Sequence, residues 1–180
     1  TPDNYQSSGG GGGCFIKGTE LHLIGGHTIN IEDVSEGHGV LTHHGETGLH
    51  SDEEVGVTLT EDTIIYGIND MEAFFLGSHP FLTDEGWKAI HPEWAMVENP
   101  NRLVSQLKEG DRVYRLVNTD PIKHELVTIE WFSAVQLKAG ETMHGIHYAN
   151  GGDSYHANGF IVAVNYPSIT AGRIMKGLAK

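Results

Sequence analysis

The stretch CFIKGTELHLIGGHTINIEDVSEGHGVLTHHG, residues 14–45, decides the fold. Its apolar residues come in short runs rather than at helical spacing, and glycine punctuates them at Gly25-Gly26 and again at Gly37 and Gly39. Runs of this length, rich in Val, Ile and Thr between turn signals, form strands. Strands are expected over 15–24, 28–32 and 39–42.

Upstream, residues 1–13 read TPDNYQSSGGGGG, a linker composition with almost nothing to enter a core. An ordered domain is expected to begin abruptly at Cys14. The first residue is Thr, so the chain is read as a piece of something longer. Downstream, strands are expected over 55–60, 63–68, 72–76, 87–90, 112–117, 125–137, 141–148 and 160–164, with turns at Asp84-Glu85-Gly86, Glu109-Gly110, Ala139-Gly140 and Asn150-Gly151-Gly152. Only 93–108 reads as helix, short and broken near Pro100, which disfavours helix at Asn99. The tail from 166 is read as a C-terminal flank.

An internal echo follows from the same stretch. IEDVSEGHGVL (31–41) and VSQLKEGDRVY (104–114) share an apolar pattern, a Glu-Gly pair and a following Val at an offset of 73 residues. In an all-β domain this suggests two pseudo-equivalent halves, each with a short turn feeding a strand.

Composition narrows the function. At 180 residues with 38% hydrophobic content the chain suits one domain with a sizeable core, and a monomer is expected. Eleven Lys+Arg against 24 Asp+Glu, a formal net charge of -13, oppose nucleic acid or an anionic membrane as partner. No apolar run approaches the ~20 residues of a membrane helix. One cysteine excludes an intramolecular disulfide and leaves the compartment open.

The Gly13-Cys14 bond places a thiol beside a carbonyl that carries no neighbouring side chain. Glycine tolerates strained dihedrals, and the sulfur can attack its own upstream peptide bond to form a thioester. That shift needs a proton donor for the departing nitrogen. Of the 12 histidines, His79 in FFLGSHPFLTDEGW is best placed, at a strand-to-loop junction ahead of Pro80.

Residues 14–45 resemble the opening block of a Hint (Hedgehog/intein) domain. GSHPFLTDEGWKAI (77–90) is similar to the second block of that family, and DSYHANGFIVAVN (153–165) to the closing one. The resemblance spans about 14–165 and implies an all-β horseshoe of two pseudo-symmetric halves with a short helical connector. It also implies an autocatalytic, single-turnover self-cleaving domain whose substrate is its own flanking polypeptide. In the family the opening cysteine performs the acyl shift and the second-block histidine assists, which transfers to Cys14 and His79 with Gly13 as the scissile residue. No cofactor or metal is implied, and the thioester would be resolved by water, a thiol or an amine.

Departures from the pattern bear on the outcome. The family's Thr three residues before the histidine is Leu76 here. Neighbouring Ser78 would face away if the segment were a strand. The family's closing-block acidic residue aligns with Gly145, leaving His144, His147 or Asp153 as stand-ins. The terminal His-Asn pair falls on Ala163 and Val164, with Asn165 one residue late and Tyr166 a poor acyl acceptor. N-terminal cleavage or transfer is therefore expected rather than full splicing, with Asn165 a candidate for separate C-terminal cleavage. The alternatives are an impaired Hint module with a binding or metal-inhibited role, and true splicing. His43-His44 with His50 invite a metal, but their spacing matches no ligand pattern. His144 and His147, read on one strand, would face opposite sides.

Overall fold

The computed structural model describes residues 15–51, 56–98, 102–149 and 151–164; Gly13, Cys14 and Asn165 lie outside the described residues. The chain runs β1 (Glu20–His22), β2 (Thr28–Asn30), a 3-10 turn (Ile31–Asp33), β3 (Gly39–Leu41), β4 (Thr47–Leu49), β5 (Gly56–Thr58), β6 (Thr63–Ile68), β7 (Phe75–Leu76), β8 (Phe81–Thr83) and β9 (Gly86–Ala89). After helix α1 (Pro92–Glu98) come β10 (Ser105–Gln106), β11 (Arg112–Thr119), β12 (Ile122–Thr128), β13 (Phe132–Leu137), β14 (Thr142–His144), β15 (Ser154–Ala157) and β16 (Phe160–Ala163).

The largest sheet has the order β10-β9-β8-β11-β16-β15-β1-β2, with β12 added on β11. It is built mainly of hairpins and antiparallel pairs, but β10 joins β9 in parallel. Smaller sheets pair β13 with β6 and β7, β14 with β5, and β3 with β4. Phe15, Leu21, Phe75, Phe81, Val113, Tyr155 and Val162 are fully buried in the one large cluster these sheets share. Burial of that apolar area is the main favourable term in a domain without disulfides.

The sequence echo is a structural repeat. Gly37 donates to His50 C=O and Gly110 to Ile129 C=O; His50 donates back to His38 C=O and Ile129 back to Asp111 C=O. The side chain at the equivalent position caps the turn in both, with His38 Nδ1 accepting from Ser35 N–H and Asp111 Oδ2 from Lys108 N–H, each at 2.9 Å. Gly37 and Gly110 both have positive φ, +86° and +95°, which explains the shared glycine. The two halves then diverge, since β3–β4 pairs three residues with three while β11–β12 runs from Arg112↔Thr128 to Thr119↔Ile122.

Two expectations are corrected. The helix read over 93–108 stops at Glu98, and Ser105–Gln106 form β10, because the free edge of β9 offers backbone partners such as Ala89 C=O to Leu107 N–H at 2.8 Å. The single strand read over 125–137 is two strands. Between them Asn69, at positive φ, accepts Glu130 N–H on its side-chain oxygen and turns the chain away from β12.

Candidate active site

His79 is positioned by a sharp turn after β7. Its N–H donates to Leu76 C=O at 3.0 Å, and the intervening Gly77 packs so closely on His91 that a Cβ there would lie 2.4 Å from the ring. Pro80 then starts the chain into β8. The His79 ring is 1% exposed, within an aromatic cage of Phe15 at 4.4 Å, Tyr155 at 6.2 Å and Phe81 at 6.4 Å between ring centroids.

One bond fixes its tautomer. Nε2 lies 2.8 Å from Ala163 C=O, and because a carbonyl only accepts, Nε2 carries the proton. Nδ1 therefore holds a lone pair, and this buried atom has no partner among the described residues. Burial pushes the His79 pKa down to about 3; the Ala163 bond opposes the shift and the nearby Arg102 charge adds to it. At neutral pH the ring is uncharged.

This histidine touches both ends of the described domain. Phe15 is the covalent neighbour of Cys14, and Ala163 stands two residues before Asn165. Phe15 is held by two main-chain bonds to His144, Phe15 N–H to His144 C=O at 3.0 Å and the reverse at 2.7 Å. Ala163 is held by its N–H on Pro80 C=O, and Val164 by its N–H on Asp153 C=O.

The three stand-ins for the missing acidic residue separate. His144 lies beside Phe15 at the front of the site, half-buried, its pKa lowered by burial against the opposing charge of Glu32. Asp153 lies at the back, beside Val164. His147 is fully buried, with its C=O accepting from Ser51. The strand expected to carry both histidines ends at His144, so their relative facing does not follow from strand alternation.

Leu76 offers no hydroxyl; it packs with Leu59, Ile65, Ala73 and Met143 in a separate apolar cluster. Ser78 occupies a turn, so the alternation that would direct it away does not apply, and its buried hydroxyl has no partner among the described residues. Arg102 gives no signal in the sequence. It stacks over Trp87 at 4.6 Å and reaches Asp153 C=O at 3.5 Å, bringing a cation to the back of the site.

These features define an all-β Hint fold in which Phe15 and Ala163, near the two ends of the described domain, both contact one buried histidine. Among solved structures, the chain is similar to the bacterial intein-like domain from Clostridium thermocellum (15% identity, 84% of this chain and 97% of that one, TM-score 0.57). It is also similar to the gp41-1 intein (18%, 84% and 98%, 0.54) and to a DnaB intein from Synechocystis sp. PCC 6803 (17%, 84% and 98%, 0.54). No protein-family model matches the sequence, and no curated protein matches it. The likeness is one of fold.

Proposed function

We propose that this chain is a self-processing Hint domain, residues 14–165, that breaks the Gly13-Cys14 bond by an N-to-S acyl shift. The supporting observation is the buried Nδ1 of His79, a neutral acceptor without a partner among the described residues, on a ring packed against the residue that follows Cys14. A polar atom left unsatisfied in a protein interior is costly, and such costs recur at functional sites.

In this reading the neutral ring acts first as a base. Nδ1 takes the Cys14 thiol proton, Sγ attacks the Gly13 carbonyl carbon, and backbone amides polarise its oxygen. As the Gly13 C–N bond breaks, the protonated Nδ1 returns that proton to the Cys14 nitrogen. The product is a Gly13 thioester on Sγ with a free Cys14 amine. Because the Ala163 C=O holds Nε2–H throughout, the transferred proton is taken up and given back by Nδ1 alone. Water, a thiol or an amine then takes the acyl group from sulfur, releasing residues 1–13 or transferring them.

Leu76 favours a second reading, an impaired module, because it leaves the site one hydroxyl short. Intact-mass measurement after incubation with and without dithiothreitol separates the two. Loss of residues 1–13, accelerated by the thiol and abolished in Cys14→Ala, supports processing. An unchanged mass, alike in wild type and C14A, sinks it, and a product joining residue 13 to residue 166 would instead indicate splicing.

A further inference from the structure

We infer that His43, His44 and Asp153 form a binding site for a zinc-class divalent cation that does not include His79. One ring nitrogen from each histidine and one carboxylate oxygen of Asp153 all lie within 4.8 Å of one another. The sequence pairs His43 and His44 with His50. The fold supplies Asp153 instead, from the far end of the chain.

The turn explains how neighbouring histidines share a direction. Gly45 N–H donates to Thr42 C=O at 3.0 Å and Gly45 has φ +86°, so His43 and His44 occupy the two central positions of the β3–β4 hairpin turn. Their rings lie tilted at 39° to one another, 3.8 Å apart between centroids. His43 is held in place by the fully buried Ser154, whose hydroxyl accepts the His43 N–H at 3.0 Å and lies 2.6 Å from Nδ1. His43 Nδ1 is 3.9 Å from the Asp153 carboxylate.

Two imidazoles and a carboxylate match the ligand preferences of zinc rather than of calcium or magnesium, and three protein ligands leave a position for water. The Arg102 charge opposes a cation here and argues for moderate affinity. A bound ion would clip the hairpin turn to the start of β15, whose partner β16 ends at the Ala163 carbonyl that holds His79. The inference does not depend on whether the chain processes itself.

The test is calorimetric titration of the full chain with zinc chloride, in a Cys14→Ser background that removes the competing thiol. One zinc per chain is expected. His44→Ala, at an exposed turn position, and Asp153→Asn should each weaken binding by about tenfold or more, because losing a direct ligand costs at least what losing an outer-shell partner does. Metal-free melting temperatures should stay close to the parent's, which separates ligand loss from misfolding. His27→Ala, an exposed histidine outside the cluster, should bind as the parent does. Absence of zinc binding by the parent, unchanged binding by both H44A and D153N, equal loss in H27A, or calcium binding as strong as zinc would each overturn the site.

Discussion

Two buried histidines are each anchored on a main-chain carbonyl, and they differ in a single nitrogen. His156, on β15, lies 3.0 Å through Nδ1 from Leu41 C=O on β3. His79 uses Nε2 in the same way on Ala163 C=O. Burial lowers both pKa values to about 3. The second nitrogen of His156 is occupied, since Nε2 lies 2.9 Å from His124 Nε2, which must donate because the His156 proton is on Nδ1. The second nitrogen of His79 has no partner among the described residues. The same device therefore gives a closed network in one place and an open acceptor in the other, and only the open one can move a proton.

The comparison breaks most readily at His79. His79→Ala should slow thiol-dependent cleavage by about 100- to 10,000-fold, the usual weight of a positioned acid–base group, measured as the rate of mass loss. His156→Ala should leave that rate within a few-fold; an equal loss in both variants would mean that the two histidines share one role.

Acid should act on both histidines through stability. A histidine held near pKa 3 in the fold and near 6.5 when unfolded favours folding fully above pH 6.5, and that contribution is lost as pH falls toward 3. At pH 5 each site should have lost about 2 kcal/mol relative to neutral pH. Urea melts at pH 5 and 7 should show the loss, and either His→Ala variant should show a shallower dependence. The cleavage rate, normalised to folded protein, should not rise as pH falls through 6.5, because His79 does not protonate there.

Smaller effects follow at the closed network. His156→Ala leaves Leu41 C=O without its donor and should cost about 2 kcal/mol in chemical denaturation. His124→Ala removes only the outer partner, from a half-buried position, and should cost about 1 kcal/mol or less.

Much of the fold is legible in the chain because its signals are local. The Glu-Gly turns at 36–37 and 109–110 announce their positive φ through glycine, and their flanking valines, Val40 and Val113, are both fully buried as the echo implies. β15 was missed for a physical reason: Ser154, Tyr155, His156 and Ala157 are all buried, so the polar Ser154 and His156 belong to the interior and burial does not alternate along this four-residue strand. β10 was missed because Val104 and Leu107 are spaced as in a helix, and only the open edge of β9 draws Ser105 and Gln106 between them into a strand.

The same division holds at the site. The sequence by itself determined the lone thiol beside glycine, the histidine before proline and the order of the three blocks, because each is a matter of neighbouring residues. It could not choose among His144, His147 and Asp153, which lie within ten residues of one another in the chain and reach different surroundings in the fold. Nor could it reveal Arg102, or Asp153 beside His43 and His44. Tertiary structure alone decided which nitrogen of His79 is occupied, because the Ala163 carbonyl reaches it from 84 residues away.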